Sequence, residues 1–591
     1  MLKITSFILK SHLKRGLCSA LSAIKKNSDK SGLSDDIKLA KDDLNFDLTI
    51  DKRRAQAKRT LLINLSTSAS RRIGKEIGEN SIKNYLFQLN DYLVRRLNCK
   101  INHISHFQNT QNSKDYALIE FKNEDDVNYI IKNQSGHFQS CNIGMQTRCL
   151  IVHANALDRV DNRYNASSSA NLEIIMNQDL SIEKESLETL ESKLNESKSL
   201  DEQILYLCNS NKINDFSLRL KFFVASLIED AINITYPKSS CLPFGSTLNG
   251  FGCVDSDLDL SIRKSSAFSD EKNKQGLFYF ETKTSDKPMN LQELHYNLTN
   301  YLPHFRDIYH ISSARVPILK GEFYVTNPSL EFDISTQLTN SYLMTRILWS
   351  YAAINSTVVK PLVKLVKFWT QITELSYKMN SNSIPVNLSS FHAIILTLSF
   401  LVQKNLVPEL TSIIPNANEA LKSIRSNRKT SYNELTNEEE IYSSYKFSNA
   451  QDILALRLKY SGDRKSRQNL FNLFLEFLEF YANFNYKNKI SLLKTCDVNH
   501  TKTNQLFIAN PLDPSINASP SIRYQQFHRF QYALKESVSI YKNTGPQNLV
   551  KILRQVKVPR KVSDSIDDIE LPSEIDLNAT GDNIYRTDKF F

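Results

Sequence analysis

Glycine is scarce in this chain, 14 residues in 591, and tryptophan (2) and methionine (6) are scarcer still. Such a composition excludes collagen-like and glycine-rich low-complexity classes, and it makes any local cluster of glycines informative. The eight cysteines, at 18, 99, 141, 149, 208, 241, 253 and 496, form no C-x-x-C pair. Neither a zinc ribbon nor a disulfide framework is suggested, and a reducing compartment fits best. No apolar run reaches the roughly 20 residues of a membrane helix. The most apolar stretch, "LSSFHAIILTLSFLV" at 388–402, is interrupted by Ser, His and Thr and reads as a buried helix, so no membrane span is expected. Acidic residues are outnumbered, 63 against 74 Lys and Arg, and the net charge of +11 favours an anionic partner.

The first 28 residues carry six Lys or Arg and no acid, with Ile4, Phe7, Ile8 and Leu9 set against Lys3, Lys10 and Lys14. That basic, acid-free, amphipathic composition predicts a mitochondrial presequence, within residues 1–45, and residues 29–58 read as a linker. From 59 to 155 the pattern becomes strand "RTLLINLST", helix "GKEIGENSIKNYLFQLNDYL", strands "INHISHF" and "KDYALIEF", helix "EDDVNYIIKNQ" and strand "RCLIVHA". This βαββαβ order resembles an RNA-recognition module. Lys114 and Tyr116 stand where that module's basic and stacking residues belong, whereas Leu118 and Leu61 replace two further aromatics. Stacking on bases needs π faces, so a protein-interacting surface is as fitting a reading as RNA binding.

Residues 156–204 are polar and read as a linker holding a solvated helix. The stretch 205–345 opens with apolar residues at helical spacing (Phe216, Leu220, Phe223, Leu227), residues 346–545 are mostly helical, and 546–591 read as a partly ordered tail. The fold class expected is therefore α+β and multidomain.

The chemistry concentrates in "PFGSTLNGFGCVDSDLDLSI", residues 243–262, which holds Gly245, Gly250 and Gly252 ahead of Asp255, Asp257 and Asp259. Glycine lets backbone N–H groups come close to a phosphate. Alternation along a strand puts Asp257 and Asp259 on one face while Leu258 and Leu260 enter the core. Two such carboxylates suit Mg²⁺ (or Mn²⁺), a hard cation that shares its coordination with substrate phosphates. "NPSLEFDIST" offers a third carboxylate, Asp333, with Glu331 as the second choice on the same strand face, and Asp255 reads as a solvated residue ahead of the strand.

Gly-Ser followed by Asp-apolar-Asp-apolar resembles the nucleotidyltransferase superfamily related to DNA polymerase β. The later blocks "ARVPILKGEF", "VKPLVKLVKFW", "LSSFHAIILTLSFLVQ" and "NPLDPSIN" follow in an order similar to the terminal nucleotidyltransferase family that holds mitochondrial poly(A) polymerases and terminal uridylyltransferases. The resemblance implies a polymerase β-like palm followed by a helical domain, an RNA 3′ end and ATP as substrates, and a two-metal in-line displacement in the mitochondrial matrix. Uridylyl transfer, and an inactive RNA- or partner-binding scaffold, are the alternatives. The same resemblance makes Asp257, Asp259 and Asp333 the metal ligands and catalytic residues. It assigns the triphosphate to Gly245, Ser246, Lys367 and Ser390, base stacking to Phe391, and the recognition loop to Asn517. It also implies a homodimer through residues 60–155. The chain departs from the family pattern at Gln371, where a second basic residue is common and Lys364 could substitute. It departs again at Met344, where an Asn is common before Thr345, and at Asn510 and Ile516 in the loop. The missing His at 516 favours adenine over uracil.

Overall fold

The computed structural model describes residues 44–65, 86–109, 114–132, 147–152, 185–264, 290–302, 304–312, 317–335, 339–376, 388–420, 444–461, 469–494, 505–542 and 548–559, with residues 111, 138–140, 174–175 and 422 besides. The expected presequence and most of the expected tail lie outside these residues.

The described chain starts with helix α1 (Phe46–Lys58), where a linker was expected. Asn45 caps it by accepting from Leu48 N, and its few apolar side chains, Phe46 and Ile50, pack with Phe222, Phe244 and Tyr342. Three buried residues, Phe46, Ile50 and the small Ala57, in an otherwise largely polar segment give only a faint period, which is why the helix is hidden in the sequence.

A first sheet follows, built from β1 (Thr60–Asn64), β2 (Ile101–Asn109), β3 (Lys114–Phe121), β4 (Phe138–Ser140), β5 (Cys149–Val152) and β6 (Ile174–Ile175), with helix α2 (Glu124–Lys132) between β3 and β4. The order across the sheet is β4-β5-β1-β3-β2-β6, with β1 antiparallel to β3 and parallel to β5. One face buries Leu61, Ile63, Ile104 and Ile119 under the helices. The opposite face, where an RNA-recognition module stacks its bases, carries Leu62, Phe107, Tyr116, Leu118 and Cys149. These residues are buried in a common core with Phe216, Leu220 and Phe223 of a later helix, and the Phe107 and Phe216 rings sit 5.3 Å apart. The expected interaction surface is thus occupied from within the chain.

Helices α3 (Leu187–Leu194) and α4 (Leu200–Ser210) come next. The first was expected to be solvated, but Leu190 and Leu194 are buried in the large helical core with Ile204 and Leu207. Helix α5 (Asp215–Asn233) is capped by Asn214 and buried along nearly its whole circumference. Around it lies the second sheet, of β7 (Ser239–Pro243), β8 (Leu258–Lys264), β9 (Phe305–Ile311), β10 (Ile318–Phe323) and β11 (Leu330–Ser335), with helix α6 (Leu291–Tyr301) before β9. Its order is β7-β8-β11-β10-β9, and β8 and β11 are the parallel pair.

The rest is helical: α7 (Thr339–Ile354), α8 (Ser356–Ile372), α9 (Ser390–Gln403), α10 (Ala450–Ser461), α11 (Leu470–Ala482), α12 (Tyr524–Lys542) and α13 (Leu549–Arg554). Helix α9 is the buried helix expected from its apolar run, and Trp369 of α8 donates to Ser537 Oγ of α12 at 2.9 Å. α13, inside the segment expected to be tail, buries Leu549, Val550, Ile552 and Leu553. Two mixed sheets and a helical body make the chain α+β, as expected. No helix among the described residues is long and apolar enough to cross a membrane.

Candidate active site

The parallel pairing of β8 with β11 decides where the carboxylates stand. Asp259 and Asp333 are register partners on neighbouring strands, so their Cα atoms lie side by side. Leu258 and Leu260 are fully buried beneath them, and Asp257 stands one residue before β8, on the side of Asp259. Asp255 lies in the exposed turn ahead of the strand, as expected of a solvated residue.

The Gly-Ser turn closes over this edge. β7 ends at Pro243, Phe244 N donates to Asp259 O at 3.0 Å, and residues Gly245–Thr247 form a single 3₁₀ turn. Gly245 has φ +62, a conformation that L side chains rarely adopt, and a β-carbon there would overlap Asp259 Oδ2. A β-carbon at Gly252 would overlap the Ser246 carbonyl oxygen. The glycines were read as making room for phosphate. In the structure they make room first for the carboxylate and backbone of the site itself. Thr345 completes the turn: its hydroxyl accepts from Gly245 N at 2.9 Å and donates to Ser341 O at 2.8 Å. Its neighbour Met344 turns into the helical core.

Two lysines that the sequence did not single out flank the carboxylates. Lys320 of β10 bonds Glu331 and lies 3.6 Å from Asp333 Oδ1, which is itself almost fully buried. Burial works against its charge, but the Glu331 hydrogen bond and the charges of Asp333, Glu331 and Asp257 outweigh it and hold the ammonium well above the usual lysine range. Lys221 of α5, 1% exposed, donates to Ser256 O at 2.6 Å and to Ser256 Oγ at 2.9 Å. Burial pulls its ammonium down to about 8, against the pull of Asp259, Asp257 and Asp255. The signals in the sequence were a Lys within an apolar helical stripe and a Lys in a strand paired with that of Asp333. Neither means anything until the sheet is assembled.

Helix α8 brings the expected phosphate lysine to the same turn. Lys367 Nζ donates to Phe251 O at 3.3 Å, and Lys364 Nζ lies 2.7 Å from Cys253 Sγ. Burial raises the Cys253 thiol, but Lys367 and Lys364 prevail and lower it. Gln371 lies farther along α8, partly buried.

Ser390, Phe391 and Asn517 form a second group on the helical body. Ser389 caps α9 and shares a capping box with His392. Since His392 Nδ1 accepts from Ser389 N, its Nε2 is assigned the proton and donates to Ala518 O at 2.9 Å. That bond ties the exposed Ser390 and the largely buried Phe391 to the 506–519 loop. Within the loop, Asn517 Oδ1 accepts from Ile508 N and Ser519 N, and its Nδ2 donates to Leu506 O. Its amide is a brace for the loop. Asn510 does similar work, accepting from Leu512 N at 2.9 Å, and Ile516 O accepts from Asn510 N.

Among the described residues, no three His, Cys, Asp or Glu side chains converge closely enough to hold an ion as they stand. The backbone register nevertheless sets Asp259 and Asp333 side by side on neighbouring strands, with Asp257 just ahead of β8, a glycine cradle against Asp259 and a lysine at Asp333. Carboxylate oxygens are the donor type that a hard divalent cation takes.

Residues 200–353 match a family model described as the central palm domain of mitochondrial-like poly(A) RNA polymerase. The Drosophila melanogaster mitochondrial poly(A) RNA polymerase is 24% identical over 383 residues, 61% of this chain and 58% of that protein. The Homo sapiens protein of the same name is 25% identical over 356 residues, 58% of this chain and 56% of its own length. The matches thus span less than two thirds of these relatives. The crystal structure of mtPAP with ATPγS is 19% identical, with TM-score 0.62, and covers 86% of this chain and 99% of that one; the apo form gives 0.64 at 20% identity. At that identity the likeness establishes the fold. Residues 200–353 are thus similar to the central palm domain of mitochondrial-like poly(A) RNA polymerase, and the fold around them is similar to that of mtPAP.

Proposed function

We propose that the chain is a template-independent RNA 3′-end adenylyltransferase, which uses ATP to extend mitochondrial RNAs in the matrix. The observation that carries the reading is the pairing of Asp259 with Asp333 beside the Gly245 turn. Asp257, Asp259 and Asp333 would hold Mg²⁺ or Mn²⁺. When bound, such an ion supplies Lewis acidity that favours the 3′-alkoxide of RNA and balances charge on departing pyrophosphate.

The chain's own residues do the rest. Ser246, in the 3₁₀ turn, offers its hydroxyl and N–H to the triphosphate, and Lys367 and Lys364 bring positive charge to the same loop from α8. Phe391 offers a mostly buried ring to the base, and Ser390 an exposed hydroxyl beside it. Asn517 acts by holding the recognition loop. Lys320, 3.6 Å from Asp333 Oδ1, would share that carboxylate with any cation held there.

Purified protein incubated with RNA and each nucleotide separately tests the reading. Extension with ATP and little with UTP is expected, and preferential UTP use would transfer the assignment to the uridylyltransferases. Asp257→Ala should retain the wild-type melting curve yet lose about a thousandfold in rate, roughly 4 kcal/mol of barrier. Full tailing by that variant would overturn the site.

A second copy of the chain is the proposed protein partner. With the sheet face of residues 60–152 covered by α5, the exposed large apolar side chains among the described residues of that segment are Phe87, Val94 and Tyr129, each at least 40% exposed.

A further inference from the structure

Lysine is among the residues least often fully buried, and a buried ammonium is costly unless its donors are used. Lys221 nevertheless lies in the interior of α5 between buried Leu220 and Phe222. An apolar side chain of similar length would stabilise such a position at least as well, so packing does not account for it. What the ammonium does at its tip is specific: it donates to both the backbone oxygen and the hydroxyl of Ser256, at 2.6 and 2.9 Å.

Ser256 is the last residue of the turn that delivers Asp257. The turn's other end is secured by backbone: Lys212 pairs with Cys253, Val254 N donates to Asn211 O at 3.1 Å, and Ser256 N donates to Cys253 O at 3.1 Å. Downstream, the strand ladder begins only at Leu258, paired with Phe332. Asp259 is therefore placed by its pairing with Asp333, whereas Asp257 lies ahead of the ladder. We infer that Lys221 is a positioning residue, which fixes the placing of Asp257 relative to Asp259 and Asp333 by pinning Ser256 from behind the sheet.

The inference rests on the nucleotidyl-transfer reading for its kinetic test, and a metal-binding measurement separates the two. Full-length wild type, Lys221→Met, Lys221→Gln and Lys221→Arg are compared for AMP addition to RNA, and for Mn²⁺ affinity by calorimetry without nucleotide. Lys221→Met should lower kcat by about 10²-fold, the loss that a misplacement near 1 Å brings, with the KM for ATP little changed. Its Mn²⁺ affinity should weaken, and Lys221→Arg, which keeps the donors, should recover most of both losses. If Lys221 were only a neighbouring charge, its removal would relieve repulsion and tighten Mn²⁺ binding. Tightened binding with wild-type kcat in a folded Lys221→Met protein overturns the inference. Should that variant not fold, Lys221→Gln, too short to reach Ser256, carries the same test. A wild-type protein that fails to extend any RNA refutes the functional reading, and the Mn²⁺ comparison still decides Lys221.

Discussion

Gly245 shows how much of the site hangs on one missing side chain. Its φ of +62 costs any L residue about 1–2 kcal/mol, and a β-carbon would also displace Asp259 Oδ2. Gly245→Ala should therefore melt somewhat lower and lose far more activity than that loss of stability explains. Calorimetric melting paired with ATP incorporation checks this, and a variant that loses both in proportion would reduce the glycine to a folding role. That position 245 requires glycine was legible in the sequence from the Gly-Ser spacing. The reason was not, because the atom that excludes a side chain belongs to Asp259, on another strand. Lys221 and Lys320 were invisible for the same cause, since a lone lysine in an apolar helix or a strand carries no signal until its neighbours are known.

At the level of elements, α5 is packed between both sheets. Asn109 Nδ2 donates to Tyr324 O at 2.9 Å and Val325 O at 3.1 Å, and Arg148 donates to Ser226 Oγ and Asp230 Oδ2 at 2.6 and 2.7 Å. Glu120, paired with Arg59 beside β1, also joins Arg219 across the same boundary. His304 sits inside this junction, its ring edge-on to Tyr116 at 6.4 Å and to Phe323 at 6.4 Å. Burial, helped by Lys114, lowers its pKa from 6.5 to about 4. Below pH 6.5 the unfolded chain takes up a proton that the folded chain refuses, so this contribution is complete above pH 6.5 and is lost as pH falls through 4. The loss is on the order of 3 kcal/mol. Denaturant titrations at several pH values should show His304→Gln becoming less destabilised relative to wild type between pH 6.5 and 4. Parallel pH profiles for the two proteins would contradict the assignment.

At the scale of the whole molecule, a dimer has to use surface that the fold leaves open. Deleting residues 60–152 would strip the cover from α5 and test folding in place of association. Phe87→Glu with Tyr129→Glu touches only exposed side chains, at 43% and 49%. That pair should shift the elution and sedimentation of the full chain from dimer to monomer with an unchanged melting curve, and a double variant that stays dimeric would place the interface elsewhere.

Local order was written in the sequence: the alternation that buries Leu258 and Leu260, the apolar run of α9, and four of the six strands of the first sheet, with β4 and β6 unforeseen. Periodicity and spacing report on a residue and its near neighbours, and at that range they single out Asp257, Asp259 and Asp333 as candidates. Tertiary structure alone decided that Asp259 and Asp333 stand in register, that α1 packs behind the Gly-Ser turn, and that a sheet face expected to meet another molecule is buried on α5. Those outcomes depend on which surfaces remain to be covered once every element has formed, and burial of apolar area is indifferent to distance along the chain.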